Sequence, residues 1–138
     1  GLRELPPGAE YVVVHDGARP AVTAEIIGRG LRLVAKEKAV VAAVPVTPTV
    51  KVVDPVTNVI RQTLARTLLW EVQTPQIFER ELLERAYSAD VLATDDAALV
   101  ERLGVAVKVF PGDYRNVKVT TPEDLVVAEA LLRTDTAS

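Results

Sequence analysis

The chain has 138 residues, 49% hydrophobic and 25% charged, with a formal net charge of -3, which is one domain's worth and enough to bury a core. That balance excludes broad attraction to nucleic acid or an anionic membrane, so any bound anion must be held by local groups. With no cysteine and His15 as the single histidine, disulfides, thiolate catalysis and cysteine- or imidazole-rich metal centres are excluded as well. The longest apolar stretch, Ala39 to Val46, falls far short of the roughly 20 residues of a membrane span. The opening residues lack the basic-then-apolar pattern of a signal peptide, and the absence of cysteine fits a cytoplasmic setting. The chain contains no methionine, and Gly1 is therefore not expected to be the translation start.

Tyr11 to His15 reads as a continuous apolar strand. Thr23 to Lys38 follows with Ile26, Ile27, Leu31, Leu33 and Val34 near helical spacing and Thr23 as N-cap. Ala39 to Val46 is again unbroken and apolar, which predicts a βαβ unit and a parallel sheet with helices on both faces. Thr49–Val53 and Val59–Thr63 alternate apolar and polar around the turn formers Asp54-Pro55-Val56-Thr57-Asn58. This predicts a β-hairpin too polar for the sheet, either an arm toward a second subunit or a solvent-facing hairpin on its own.

Trp70 to Gln76 predicts a strand that runs into a Thr74-Pro75-Gln76 break, with a helix from Phe78 to Ala89. A short helix over Asp95–Leu103, capped by Thr94 or Asp95, is closed by Gly104. Val105 to Phe110 reads as a strand. Thr121-Pro122-Glu123-Asp124 starts a last helix, continued by Leu125 to Leu132, through a hydroxyl cap, an N1 proline and first-turn acids. Neither a repeat nor a linker divides the chain, so residues 1–138 form a single domain with the arm at about 47–66.

The strongest chemical signal is His15-Asp16-Gly17-Ala18-Arg19-Pro20, directly after the first strand, because open α/β sheets bind ligands outside their carboxyl ends. Asp16 could bind a divalent cation or a ribose diol, and Arg19 could grip a phosphate. Equally, Asp16 and Arg19 could form an ion pair that ties down the loop. His15 fits a loop anchor better than a catalyst, since nothing else resembles a triad.

Lys118, flanked by Val117 and Val119, would point opposite to them on a strand, into solvent or into a cleft. In a cleft it could neutralise charge building on a phosphorus. Glu123 and Asp124 already occupy the anion-binding end of the last helix. Thr49, Arg66, Thr74 and Thr94 each have an ordinary reading, as strand residue, surface charge, turn former and cap.

Taken in order, His15–Pro20, Pro45-Val46-Thr47-Pro48-Thr49-Val50-Lys51, Arg66-Thr67-Leu68-Leu69-Trp70 with Gln73–Gln76, Thr94-Asp95-Asp96, and Asn116–Thr120 with Pro122-Glu123-Asp124 resemble the methylerythritol phosphate cytidylyltransferases. The resemblance runs from about Tyr11 to Leu132. It implies an α/β fold, a Rossmann-like nucleotidyltransferase three-layer sandwich with a protruding β-hairpin arm, and a homodimer interlocked through that arm. It implies transfer of CMP from CTP to 2-C-methyl-D-erythritol 4-phosphate with release of pyrophosphate, in non-mevalonate isoprenoid synthesis, with Mg2+ screening the triphosphate.

By the same resemblance, Asp16 lies near ribose, metal and sugar alcohol, and Lys118 neutralises the α-phosphate in the transition state. Gly17 and Arg19 contact the methylerythritol moiety. Thr49 and Arg66 reach the substrate phosphate in the other subunit's site, and Thr74 and Thr94 contact the polyol. Gly17 stands where the family usually has alanine, a small-for-small change. The family's glycine-rich triphosphate loop and its cytosine-reading segment have no counterpart in Gly1–Glu10. The chain is therefore expected to be N-terminally incomplete and inactive alone. Two other readings remain: a cytidylyltransferase for another polyol phosphate such as ribitol 5-phosphate, and a non-catalytic dimerisation fragment.

Overall fold

The computed structural model describes residues 1–89 and 93–136, with side chains up to residue 134. In chain order the elements are β1 (Tyr11–Val14), α1 (Ala24–Glu37), β2 (Ala39–Pro45), β3 (Lys51–Val53), β4 (Ile60–Thr63), β5 (Trp70–Glu79), α2 (Arg80–Tyr87), α3 (Asp96–Glu101), β6 (Lys108–Pro111) and α4 (Pro122–Thr136). The main sheet has the order β1-β5-β2-β6, and β3 and β4 form a separate two-stranded sheet.

The unbroken apolar run of β2 has a simple cause, since the strand is covered on both faces. Ala39 and Val41 pack with Val12, Phe78 and the α2 and α3 residues Leu82, Leu83, Ala86, Ala97 and Val100. Val40 and Ala42 point the other way, onto Ile77, Phe110 and the α1 residues Ile26 and Val34. Side chains alternate across a strand, so one apolar run serves both cores of a helix–sheet–helix sandwich. Val34, Val40, Ile77 and Phe78 are completely buried; each contributes on the order of 1.5–3 kcal/mol from burial.

Several local expectations hold. Thr23 caps α1, its hydroxyl accepting from the Ile26 amide at 3.2 Å. Asp95, not Thr94, caps α3 by accepting from the Ala98 amide at 2.8 Å. Gly104, at φ +76°, follows α3 in the left-handed conformation that suits glycine. Thr121 and Asp124 exchange hydrogen bonds at the start of α4, in the manner of a capping box. Every residue of β3 and β4 is exposed, so the hairpin stands off the sheet.

Three expectations are corrected. The sheet is mixed: β1 and β2 run in the same direction but are not neighbours, because β5 lies between them, antiparallel to both. Among the described residues, only β2 and β6 pair in parallel. An apolar run records burial on both faces, not the direction of its neighbour.

Secondly, β5 does not stop at Pro75 but runs on to Glu79, and α2 begins at Arg80. Proline lacks the N–H a ladder needs, yet the register between β2 and β5 jumps here, from Val41↔Gln76 to Ala43↔Val72. Pro75 sits inside that irregularity, preceded by a cis peptide, where no ladder donor is required. Thirdly, Lys118 lies in a segment without regular structure, so strand alternation does not set its direction.

Candidate functional site

Because β1, β2 and β6 share one direction, their carboxyl ends meet at one edge of the sheet. The opposite run of β5 brings Gln73 and Thr74 to that same edge. Two loops converge there, the one after β1 carrying His15 to Arg19 and the one after β6 carrying Gly112 to Val119. The Val119 amide donates to the Ala18 carbonyl at 2.8 Å, joining them.

The first loop is held by a short relay. The Asp16 amide donates to Thr74 Oγ1 at 3.0 Å, Thr74 Oγ1 lies 3.0 Å from His15 Nδ1, and His15 Nε2 lies 3.1 Å from the Arg19 carbonyl. A carbonyl can only accept, so the imidazole hydrogen belongs on Nε2, and Nδ1 accepts from the Thr74 hydroxyl. His15 is thereby a loop anchor. The Thr74 oxygen keeps one lone pair for a further partner.

Asp16 and Lys118 meet in this cluster, Nζ to Oδ2, at 3.0 Å. The other Asp16 oxygen accepts from the Ala18 amide at 3.1 Å, an Asx turn. That amide and then the Lys118 ammonium hold the Asp16 carboxyl below its ordinary pKa, with partial burial opposing them and the Lys118 and Arg19 charges adding a smaller lowering. The Lys118 side chain is about half exposed, at 51%, so two of its three donors remain available for an anion. The alternative of an Asp16–Arg19 ion pair is not what forms: Asp16 takes Lys118, and Arg19 Nη1 donates to the Asn116 carbonyl at 2.6 Å.

Sequence reasoning assigned no role to Asn116, which the fold makes the hub of the second loop. It is fully buried. Its carbonyl receives Arg19, while its Nδ2 donates to the Thr74 carbonyl at 2.7 Å and lies 3.4 Å from Gln73 Oε1. Buried Gln73 adds a bond from its Nε2 to the Asp113 carbonyl at 2.9 Å, and its Oε1 receives the Asp113 amide at 3.3 Å. Gly112 permits this, since a Cβ there would overlap Gln73 Oε1. Arg19 Nε and Asn116 Oδ1 are buried without a hydrogen-bond partner among the described residues. The available signal was a pair of glutamines, Gln73 and Gln76, in a strand whose other residues are mostly fit for burial.

On the far side of Thr74 a cavity of about 360 Å3 opens, lined by Val14, Thr74, Gln76, Tyr87, Ala93, Asp95, Asp96 and Leu99. Thr94 is exposed and stands in the chain between Ala93 and Asp95, which both line the cavity. Gly17 is exposed in the turn beside Asp16. Thr49 and Arg66 are exposed in the arm region; Arg66 Nη1 donates to the Thr47 carbonyl at 2.6 Å. Neither bonds to the strand-end cluster of its own chain.

Among the described residues no three His, Cys, Asp or Glu side chains stand together as a metal site. Asp16 offers one carboxylate, each of whose oxygens carries one protein hydrogen bond. This donor set fits magnesium only as a single protein ligand, the remaining positions falling to substrate oxygens and water, which is how Mg2+ is commonly held beside phosphates.

A sandwich of helices about a mixed sheet, with an acid, a lysine and an arginine gathered where the strands β1 and β6 end, defines a Rossmann-like α/β protein with its charged side chains collected at that edge. Residues 1–134 match the sequence profile of the 2-C-methyl-D-erythritol 4-phosphate cytidylyltransferases, and the chain belongs to that family. It is similar to the protein of that name from Caldanaerobacter subterraneus, with 48% identity over 96% of this chain and 60% of the relative. The Alkaliphilus metalliredigens protein of the same name is 47% identical over 96% and 56%.

Among solved structures, the 4-diphosphocytidyl-2C-methyl-D-erythritol synthase of Anaerococcus prevotii superposes with a TM-score of 0.87 at 35% identity, over 96% of this chain and 63% of that one. The cytidylyltransferase of Thermus thermophilus gives 0.83 at 34%, over 96% and 65%. The chain thus spans about 60% of the length of the relatives it matches.

Proposed function

We propose that the protein transfers CMP from CTP to 2-C-methyl-D-erythritol 4-phosphate, and that these residues supply the acceptor side of the site. An acceptor phosphate oxygen bonds to the α-phosphorus of CTP as the bond from that phosphorus to the bridging oxygen breaks, and its electron pair leaves with pyrophosphate. No covalent intermediate with the protein is needed, so the residues act by positioning and by stabilising charge. Lys118 faces the charge that builds on the α-phosphate, Asp16 orients Lys118 and meets the sugar alcohol, and Arg19 and the Gly17 turn hold the acceptor. The spare lone pair of Thr74 accepts from a polyol hydroxyl, and Thr94 contacts the same end.

The observation that carries this reading is the Asp16–Lys118 pair at 3.0 Å, in a chain of this family. Asp16 is the carboxylate that would hold Mg2+, which when bound screens the triphosphate. A homodimer through the arm is part of the proposal. What favours it is the apolar surface exposed on and beside the hairpin, at Val52, Val53, Val56, Val59, Ile60, Leu68 and Trp70. Arg66 and Thr49 would then serve the partner's site. Both substrates are free, highly polar metabolites, consistent with a cytoplasmic reaction, and among the described residues no helix is long and apolar enough to cross a membrane.

The test is pyrophosphate release by the protein carrying these residues, with CTP, magnesium and either methylerythritol phosphate or ribitol 5-phosphate. Turnover that depends on methylerythritol phosphate is expected, and preference for ribitol 5-phosphate would overturn the acceptor assignment. Residues 1–138 by themselves are expected to release none, since Gly1–Glu10 holds no glycine-rich phosphate loop; turnover by them alone would refute that.

A further inference from the structure

Gln76 lies two residues beyond Thr74 on β5, and its side chain is almost completely buried, with the residue 4% exposed. It spends both ends of its amide on the first turn of α3. Nε2 donates to Asp95 Oδ2 at 3.1 Å, and Oε1 accepts from the Ala97 amide at 3.1 Å. The other Asp95 oxygen caps the Ala98 amide at 2.8 Å. A six-residue helix thus has two of its otherwise unpaired first-turn donors satisfied by one closed ring of hydrogen bonds anchored in the sheet. Tyr87 of α2 adds a hydroxyl bond to Asp96. The segment so clamped includes Asp95 and Asp96, which line the 360 Å3 cavity together with Thr74.

We propose that Gln76 is a positioning residue for the acceptor: through Asp95 it fixes the α3 wall of the cavity, and with it the adjoining Thr94, at a set distance from Thr74. This rests on the cytidyl transfer proposed above and adds to it a residue on the cavity wall whose amide is spent on α3. One strand then sets both walls of the polyol subsite. Thr74 fixes the loop after β1 through the Asp16 amide, and Gln76 fixes the start of α3. A displacement of the α3 wall alters the fit of the polyol without moving Asp16 or the Lys118 paired with it.

The polarity of the ring supplies the test. In Gln76→Glu the new carboxylate still accepts from the Ala97 amide but cannot donate to Asp95, and two carboxylates face each other. In Asp95→Asn the cap on Ala98 survives, but two NH2 groups oppose. Combined, the two substitutions restore every bond, with donor and acceptor exchanged only in the one between positions 76 and 95, while the Ala97 and Ala98 amides donate as before. Steady-state kinetics on the protein carrying these residues are expected to give an acceptor KM about tenfold higher in each single variant, CTP KM within about twofold of the unmodified protein, and an acceptor KM within about threefold of it in the double variant.

Asp95→Ser, which keeps a capping oxygen but cannot span to Gln76, serves as a milder probe should the single variants fold poorly, and the same rise is expected. Acceptor KM unmoved in the variants, both KM values rising together, or a double variant no better than the worse single one would overturn the role of Gln76. Absence of transfer by the unmodified protein would instead overturn the function on which it rests, and this role with it.

Discussion

Replacing Asn116 by alanine removes the side chain that ties the loop after β6 to β5. The Nδ2 bond to the Thr74 carbonyl at 2.7 Å is the main loss, the 3.4 Å approach to Gln73 Oε1 being too long to matter much. A buried carbonyl left without its donor costs about 1–3 kcal/mol, and the small cavity left behind adds roughly 1 kcal/mol. Against this, Asn116 Oδ1 is already buried with no partner among the described residues, a penalty of about 1 kcal/mol that alanine relieves. The net loss is about 2 kcal/mol, a fall in melting temperature on the order of ten degrees or somewhat less.

Asn116→Asp should be worse, because a carboxylate cannot donate to the Thr74 carbonyl and brings a charge into a buried site. Urea denaturation checks both variants, with the midpoint moving and the slope unchanged. A loss below about 0.5 kcal/mol in Asn116→Ala, or an aspartate variant as stable as the alanine one, would refute the reading of Asn116 as hub.

In Gly112→Ala the new Cβ would overlap Gln73 Oε1, and displacing that amide should cost about 1–3 kcal/mol in denaturant titration; an unchanged midpoint would show that Gln73 is not held there. In the arm, Asp54 is drawn from its ordinary 3.8 down to about 2, by Arg61 first and then by the Thr57 and Val56 amides. A depressed carboxyl contributes stability that is fully present above the unfolded value and lost as pH falls through the folded one. The Val56 and Thr57 amide resonances should therefore shift with a midpoint near pH 2, and a midpoint near 3.8 would show the turn unpaired in solution. Arg66→Ala should raise acceptor KM roughly thirtyfold, about 2 kcal/mol, with CTP KM little changed; an unchanged acceptor KM would make Arg66 a plain surface charge.

The contrast between β2 and β5 shows what the sequence could carry. Burial on both faces leaves an unbroken apolar run, so β2 and its helix α1 were legible, as were Thr23, Gly104 and the polar hairpin, whose signals are local. The insertion of β5 between β1 and β2 depends on pairing between distant segments, and Pro75 masks the strand because its tolerance comes from a register jump that no single strand records. Asp16 and Lys118 stood out individually, yet their contact depends on two loops meeting after β1 and β6. Asn116 was hidden because an asparagine in a loop reads as a turn former, and only its complete burial reveals the hydrogen bonds it makes to β5.

The claim at the centre is that Lys118, held by Asp16, stabilises charge in transfer to an acceptor phosphate. It is tested most directly by the kcat of Lys118→Ala, measured as pyrophosphate release at saturating CTP and methylerythritol phosphate in the protein carrying these residues. A fall of about 10²–10³-fold is predicted, the scale on which loss of one well-placed donor slows a charged transition state. A kcat within a few-fold of the unmodified protein would contradict it and return Lys118 to the surface pair it makes with Asp16.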